Sequence, residues 1–232
     1  MTNDILGRAI FAYKNDPRCP PIAVFVDGRR DADLLPESFF RSFRQMPLIE
    51  RRALKLCHGK ILDIGSGAGA HALYLQNKNL DVTAVEISRL ACKVLKKRGV
   101  LKVLCRDIFK IKKLRFDSII LLMNGLGIQG NVQGTLQLLR HLRNLLAPDG
   151  QILADSADID HLFYPRGRRS PRSADFREVV FKLKFRSQAS SPFQWIYFRY
   201  SFFKKLSKRA GLQCELVQST KRSGYLVRLT RE

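Results

Sequence analysis

Short apolar runs that end in polar or glycine residues recur along the middle of this 232-residue chain. Four of them, KILDI, DVTAVEI, LKVLCRDI and FDSIILL, begin at residues 60, 81, 101 and 116. Runs of this length that are apolar at most positions are typical of strands buried on both faces of a parallel sheet. Residues 132–146 instead have leucines at helical spacing and stop at a Pro-Asp-Gly sequence, which predicts a helix before the fifth strand.

The C-terminal third adds strands of a different pattern. Residues 178–185 alternate apolar and basic side chains, as a half-exposed strand does, and residues 214–217 with 225–229 predict a closing hairpin. The whole pattern predicts one α/β domain over residues 1–232, with a Rossmann-like doubly wound sheet of seven strands and helices on both faces. It divides into an N-terminal helical segment (1–56), a core (57–160) and a C-terminal part (161–232).

Three glycines follow the first strand in the sequence KILDIGSGAGA of residues 60–70, and the acid Asp63 stands two positions before the first of them. Gly65, Gly67 and Gly69 let the backbone turn sharply and approach a ligand where a Cβ atom would collide. A helix that begins near Gly69 would turn its first amides toward that ligand. Taken alone, a glycine motif also fits a plain turn between strand and helix.

Polar residues also stand at the ends of the next strands. Glu86 ends the second strand, at the distance beyond the glycines where a nucleotide-binding βαβ unit places its ribose-binding acid. Asp107 and Asn124 end the third and fourth strands. Each of them singly fits a helix cap or a turn as well as a ligand contact. Because ligands of open α/β sheets bind at the carboxyl ends of the strands, these positions together predict a nucleotide-like cofactor.

The run from Asp63 to Gly69, with Glu86 and the pair Asp107-Ile108, resembles the class I S-adenosylmethionine-dependent methyltransferases. The resemblance implies that Asp63 and the glycine turn hold the methionine end of S-adenosyl-L-methionine, that Glu86 binds the ribose and that Asp107 receives the adenine amino group. The cofactor-binding residues that it implies are Asp63, Gly65, Ser66, Gly67, Ala68, Gly69, His71, Glu86, Ile87, Asp107, Ile108 and Asn124. Residues 57–160 would then be the cofactor-binding core and residues 161–232 the substrate side.

An NAD-binding Rossmann unit is the alternative, because Gly65, Gly67 and Ala70 also satisfy the GxGxx(G/A) fingerprint. Asp63 and the polar positions of Asp107 and Asn124 favour the methyltransferases, since the NAD-binding family seldom has the first acid and has no regular use for the other two. A closer resemblance, to a poorly characterised bacterial group of such methyltransferases, is carried by LLMNGLGIQG, LLAPDGQILADSADI, PFQWIYF, YLVRL and the N-terminal LPESFFRSFRQMPLIERRAL. The loop YPRGRRSPR is basic here and acidic in that group, so no substrate is carried over from it.

Methyl transfer from a sulfonium needs mainly alignment of the reactants, and a general base only for a weakly nucleophilic acceptor. Asn124, Asp155 and Asp158 follow the fourth and fifth strands and are the candidate catalytic residues for orienting an acceptor, although each also fits a cap. The chain lacks the Asn/Asp-Pro-Pro-Tyr motif of amino-group methylation on nucleic-acid bases and the Pro-Cys and Thr-Cys motifs of pyrimidine C5 methylation. Those two chemistries are therefore disfavoured.

The net charge of +22 is concentrated toward the C-terminus, where residues 161–232 hold 17 Lys and Arg against 4 Asp and Glu. The residues that would attract a polyanion are Arg166, Arg168, Arg169, Arg172, Lys204, Lys205, Lys208 and Arg209. Among the nearby aromatic residues we expect Trp195 and Tyr197 to be core, with Phe193 and Tyr200 open to either role. The charge favours a structured RNA as acceptor, the absence of an RNA-binding module favours a small metabolite, and a basic genome background would explain the charge equally well.

Five cysteines without a CxxC pair and four scattered histidines predict neither disulfides nor a metal site. No apolar run is long enough for a signal peptide or a membrane span, which predicts a cytoplasmic protein. The sequence therefore predicts an S-adenosylmethionine-dependent methyltransferase with an unidentified acceptor. The alternative is a non-catalytic cofactor- or nucleic-acid-binding protein on the same fold.

Overall fold

The computed structural model describes residues 4–157, 175–220 and 224–232. The strands of these ranges are β1 (Ala23–Val26), β2 (Arg29–Arg30), β3 (Lys60–Ile64), β4 (Asp81–Glu86), β5 (Lys102–Cys105), β6 (Phe116–Leu121), β7 (Leu146–Ala157), β8 (Phe176–Phe185), β9 (Gln188–Ala189), β10 (Phe193–Phe198), β11 (Leu212–Ser219) and β12 (Gly224–Arg231). Seven of them form the central sheet in the order β11, β12, β7, β6, β3, β4, β5. Strands β3 to β7 are parallel, and the hairpin of β11 and β12 adds antiparallel to β7. The predicted fold class and closing hairpin are confirmed.

Helices cover both faces of this sheet. Their bounds are α1 (Ile5–Asn15), α2 (Leu48–Leu56), α3 (Ala70–Gln76), α4 (Arg89–Lys97), α5 (Val132–Leu145) and α6 (Tyr200–Arg209). Buried side chains of α2, α3 and α4 pack on one face, and those of α5 and α6 pack on the other. Helix α5 begins at the predicted residue and ends one residue earlier than predicted. Its regularly spaced leucines are buried against the sheet, which is why their spacing predicted the helix.

A second, smaller antiparallel sheet contains β10, β8, β1 and β2 in that order, with β9 paired to the other end of β8. Strand β1 comes from the N-terminal segment and pairs with β8 through contacts such as Val24 with Leu183. The prediction that residues 1–56 are helical was therefore incomplete. Strand β1 is short, and the partner that satisfies its backbone is remote in the sequence, so no local pattern indicated it.

Strand β10 reverses the predicted roles of its aromatic residues. Ile196 and Phe198 are fully buried against the main core, whereas Trp195 and Tyr197 lie on the opposite face and are only half-buried. The prediction that Trp195 and Tyr197 are core residues was wrong, because alternation along a strand fixes which residues share a face but not which face meets the core.

The N-terminal segment closes over the loops at one end of the central sheet. Asp4 caps α1 by accepting the Gly7 N–H at 2.9 Å, and its second oxygen accepts the Ser88 hydroxyl at the start of α4 at 2.6 Å. Phe39, at the end of a short 3₁₀ turn (Pro36–Phe39), approaches the glycine turn so closely that a Cβ built on Gly67 would lie 3.3 Å from its ring. Within the three described ranges, no helix is long and apolar enough to cross a bilayer.

Candidate active site

The order of the central sheet defines a crevice between β3 and β6. From β3 the chain proceeds outward through β4 and β5 on one side, and β6 and β7 lie on the other side. Loops at the carboxyl ends of two strands on opposite sides of such a reversal diverge, and ligands of open α/β sheets bind in the gap between them. The predicted site residues that the structure describes lie at this edge, at or just beyond the carboxyl ends of the parallel strands.

The glycine turn after β3 has the left-handed backbone that glycine permits. Gly65, Gly67 and Gly69 have φ of 70°, 55° and 84°. The Gly65 N–H donates to the Val85 carbonyl at 2.9 Å, which ties the turn to β4. A Cβ on Gly69 would lie 2.7 Å from Leu95, whereas a Cβ on Gly65 would meet open space. The turn is therefore packed on its inner side and open toward the crevice.

Asp63 lies beneath this turn and is almost completely buried. Its Oδ2 atom is buried and has no hydrogen-bond partner. Burial raises the pKa of Asp63, and the nearby charge of His71 offsets only part of that effect. A buried carboxylate oxygen without a donor is costly, so this oxygen suits a positively charged ligand group.

His71 belongs to a buried ion network that the sequence analysis missed. Its Nε2 lies 2.7 Å from Glu50 Oε2, and Arg41 Nη2 donates to both oxygens of Glu50 at 2.9 and 3.0 Å. Burial disfavours the imidazolium, but the Glu50 hydrogen bond and the negative charges of Asp63 and Glu50 outweigh it and raise the pKa of His71. The Nε atom of Arg41 is buried without a partner. The sequence contained one indication of this network. Glu50 lies on the same face of α2 as Ala53 and Leu54, which are buried, so a buried partner for its charge could be expected.

Glu86, at the end of β4, accepts backbone N–H groups with both oxygens. The Gly67 N–H donates to Oε2 and the Ser88 N–H to Oε1, each at 2.9 Å. Burial raises its pKa, although these hydrogen bonds oppose the shift. The Ile87 N–H also donates to this carboxylate, which has about four lone-pair positions, so about one of them remains for a ligand hydroxyl. Ile87, the next residue, is 72% exposed, which leaves an apolar surface open beside the acid.

Asp107 and Ile108 are placed differently. The Asp107 carboxylate accepts the Phe109 N–H at 2.8 Å and so caps the 3₁₀ turn Ile108–Lys110, which is the cap that the sequence also allowed. The Ile108 side chain is buried in the main core, and its carbonyl accepts the Ile111 N–H at 3.0 Å and lies 3.0 Å from His141 Nε2.

Asn124 and Asp155 meet on the other side of the crevice. Met123 and Asn124 both have positive φ, 63° and 60°, and the Asn124 N–H donates to Asp155 Oδ1 at 2.8 Å. Burial raises the pKa of Asp155 to about 7, and the Asn124 hydrogen bond only partly opposes it. The third candidate, Asp158, lies outside the described residues.

The second sheet forms the opposite wall on this side. Trp195 packs on the 3₁₀ turn Gly125–Gly127, where a Cβ on Gly127 would lie only 2.1 Å from its indole nitrogen. Burial, with the negative charges of Asp31 and Asp155, raises the pKa of Tyr197 to about 12. The hydroxyl of Tyr197 therefore lies within the electrostatic reach of the acid on β7.

The described part of the predicted basic surface lies on α6, which follows β10 directly. Lys204, Lys205, Lys208 and Arg209 are exposed on α6, whose first turn lies at the carboxyl edge of the sheet and whose last turn lies at the opposite edge. Arg166, Arg168, Arg169 and Arg172 lie outside the described residues. Among the residues that the structure covers, no three His, Cys, Asp or Glu side chains form a group suited to a metal ion.

Comparison with known proteins identifies the class. The methyltransferase domain family matches residues 61–150, which contain the glycine turn and the ends of β4, β5 and β6. The solved structure of a SAM-dependent methyltransferase from Bacteroides fragilis, in complex with S-adenosyl-L-homocysteine, is 33% identical with a TM-score of 0.89, and the match covers 99% of this chain and 98% of that one. The chain belongs to the class I S-adenosylmethionine-dependent methyltransferases.

The CcbJ methyltransferase from Streptomyces caelestis is 14% identical with a TM-score of 0.60 over 82% of this chain and 94% of that one, which shows the shared fold alone. No curated protein sequence matches the chain significantly. The cofactor of this enzyme is S-adenosyl-L-methionine, as the sequence predicted. The unpartnered oxygen of Asp63 and the open space over Gly65 are features that such a cationic ligand fits.

Proposed function

We propose that this methyltransferase holds its methyl donor along the carboxyl ends of β3, β4 and β5 and methylates a small molecule bound against β6 and β7. S-adenosylmethionine supplies a methyl group on a sulfonium, which is an activated leaving group. The chain's own contribution is then to bind, align and desolvate the two reactants. Membership of the poorly characterised bacterial group that LLMNGLGIQG resembles stays a prediction.

The observation that carries the assignment is the run of contacts from Arg41 through Glu50 and His71 to Asp63. It is buried, and it has an unpartnered donor, Arg41 Nε, and an unpartnered acceptor, Asp63 Oδ2. An α-amino acid group has one ammonium and one carboxylate. We assign its ammonium to Asp63 and its carboxylate to Arg41, and we give Glu50 and His71 the task of fixing the two charges relative to each other.

The other end of the donor fits the outer strands. Glu86, fixed at the end of β4 by backbone N–H groups, is assigned to a ribose hydroxyl, and Ile87 offers an exposed apolar side chain to the adenine. Asp107 and the Ile108 backbone stand at the next strand end, where the adenine amino group would be received. Ser66 and Ala68 support the turn, since the Ser66 hydroxyl donates to the Asp63 carbonyl at 2.8 Å and Ala68 is fully buried.

On the acceptor side, the negative charges of Asp31 and Asp155, which both act on Tyr197, would repel the phosphates of a nucleic acid, which supports a small acceptor. We assign Asn124 to the turn that separates donor and acceptor. Structured RNA is the second candidate, and the exposed cations of α6 are the observation that favours it. Nothing in the site favours the non-catalytic alternative.

Two ligands test the placement of the donor. S-adenosylhomocysteine has the amino acid group, and 5′-methylthioadenosine lacks it. Asp63→Asn should weaken binding of S-adenosylhomocysteine by about 1.5 to 3 kcal/mol and leave 5′-methylthioadenosine unchanged, because the lost interaction is with a charged group. Glu86→Ala should weaken both, and Asp81→Asn, at the opposite edge of the sheet, should change neither. Equal losses for both ligands in Asp63→Asn would contradict the assignment.

The acceptor class is tested by transfer of a tritiated methyl group into cell extract separated into nucleic acid, protein and metabolite pools. We expect label in the metabolite pool. Label confined to the nucleic acid pool would favour the second candidate.

A further inference from the structure

We propose that the acceptor is a small amine whose nitrogen binds between Asp155 and Tyr197, and that Asp155 accepts the proton which this nitrogen gives up. The inference rests on the proposed function, because it assigns the acceptor side of the same crevice.

Asp155 is held in one position by the backbone around it. It lies in β7, pairs with Leu226 of β12 and is buried. Its carboxylate accepts the Asn124 N–H at 2.8 Å and also a hydrogen bond from the Gly125 backbone. The turn that presents these donors holds Met123, together with Asn124, in the left-handed region, which is uncommon for a bulky side chain such as that of Met123. A residue held in a sparsely populated conformation beside a carboxylate is typical of a functional position.

The wall opposite Asp155 is aromatic. Trp195 and Tyr197 are on the face of β10 that is turned away from the main core, and Trp195 is fixed against Gly127. Aromatic faces attract cations, and an alkylammonium is a compact cation. The Phe198 N–H donates to Ser156 Oγ at 3.4 Å, which places β10 beside the residue that follows Asp155. The carboxylate and the aromatic strand next to it together suit a positively charged nitrogen.

The group-transfer step balances with the groups present. The lone pair of the neutral amine forms the N–C bond, the S–C bond breaks, and its electron pair stays on sulfur. One proton then passes from the substituted nitrogen to Asp155 and on to solvent. Because a free amine is protonated at neutral pH, Asp155 also removes the proton that would occupy the lone pair when the amine binds.

This role has a pH dependence. Asp155 must be ionised to accept a proton, so the rate should fall below about pH 7. The groups that face Asp155 are Glu50, which raises its pKa, His71, which lowers it, and Tyr197 on β10. Two further charged groups lie near Tyr197: Arg177, paired with it across β8 and β10, and Asp31, whose negative charge raises its pKa.

Chemical blocking of the acceptor pool tests the proposal without knowledge of the acceptor. A low-molecular-weight extract of the source cells is incubated with the enzyme and methyl-labelled S-adenosylmethionine in three forms: untreated, acetylated with N-hydroxysuccinimide acetate, and treated with N-ethylmaleimide. Acetylation blocks amines and maleimide blocks thiols. We expect acetylation to reduce the label by at least about tenfold and maleimide to leave it unchanged. Label that survives acetylation, or an enzyme that labels no acetylation-sensitive compound, would overturn the proposal.

Asp155→Asn then tests the proton acceptor, because its amide oxygen can still accept the Asn124 N–H. We expect the rate of methyl transfer to fall by at least about 100-fold, the usual effect of losing a general base. Affinity for S-adenosylhomocysteine should be unchanged. The wild-type rate should fall below pH 7, and the residual rate of the variant should not. Asp81→Asn is the matched control. If the wild-type protein does not bind S-adenosylhomocysteine, the proposed function is refuted. If it binds and still labels the acetylated extract, only the amine acceptor is refuted.

Discussion

The Nε2 atom of His71 lies 2.7 Å from Oε2 of Glu50, and this contact joins the helix after the glycine turn to the N-terminal segment. Arg41 binds the same carboxylate, and Asp63 is the next charged group beyond His71. The N-terminal segment is therefore part of the wall of the crevice and not only an addition to the fold.

Glu50→Gln should destabilise the protein by about 3–5 kcal/mol, because it leaves Arg41 and His71 buried with an uncompensated charge. Urea unfolding at pH 6 measures the loss. Glu215→Gln is the control, since Glu215 is 65% exposed and its 3.4 Å contact with Arg228 contributes at most about 1 kcal/mol. Equal stability of the two variants would show that the buried network is unimportant.

The same pair predicts how that loss varies with pH. A raised pKa of His71 adds stability that is complete below the ordinary value of 6.5 and is lost as the pH rises through the folded-state pKa. The difference between wild type and Glu50→Gln should therefore be smaller at pH 9 than at pH 6. A difference that grows with pH would contradict the imidazolium form of His71.

Glu86→Ala should weaken binding of S-adenosylhomocysteine by about 1.5 to 3 kcal/mol, the range for hydrogen bonds to a charged group. Calorimetry on the variant and on Asp81→Ala measures the effect. Because Glu86 also accepts the Gly67 and Ser88 N–H groups, thermal unfolding should be recorded alongside. Unchanged affinity in a folded Glu86→Ala protein would remove Glu86 as the ribose acid.

Asp155 should make the protein less stable as the pH rises. Its pKa is raised from 3.8 to about 7 on folding, so the contribution is favourable at low pH and lost as the pH rises through about 7. Relative to wild type, Asp155→Asn should gain roughly 3 kcal/mol between pH 5 and pH 8, at 1.36 kcal/mol for each pH unit over which the two states differ in protonation. Urea unfolding at both pH values provides the comparison, and a pH-independent difference would contradict a buried, titrating Asp155.

The charge of α6 predicts salt-sensitive attraction of polyanions that is separate from the crevice. Replacing Lys204, Lys205, Lys208 and Arg209 with Ser should weaken binding to mixed RNA at low salt and flatten its salt dependence, because fewer condensed counterions are released. Affinity for S-adenosylhomocysteine should stay the same. Salt-titrated filter binding makes the measurement. If the salt dependence of RNA affinity is the same in the wild type and in the fourfold variant, α6 does not contact RNA.

The central strands and the positions of Asp63 and Glu86 could be predicted from sequence because they depend on local patterns. Buried parallel strands are apolar at nearly every position, and glycine spacing constrains the turn between β3 and α3. The helix α5 was predictable for the same reason.

The second sheet and the ion network could not be predicted in this way. Pairing of Val24 with Leu183 and contact of Glu50 with His71 are settled by tertiary packing, and the pattern within one segment does not indicate its partner in the other. The buried face of β10 was assigned to the wrong residues because large apolar side chains occupy both faces of this strand. Only the contact of Trp195 with Gly127 shows which face meets the neighbouring turn.

Calorimetry of the purified protein with S-adenosylhomocysteine and with NAD shows directly which cofactor the crevice binds. We place a methionyl ammonium against Asp63 and a ribose against Glu86, and NAD has no ammonium group to donate to the acid under the glycine turn. We predict that S-adenosylhomocysteine binds, that NAD does not compete with it, and that Asp63→Asn weakens the binding. Tight binding of NAD together with no response to S-adenosylhomocysteine would contradict the account.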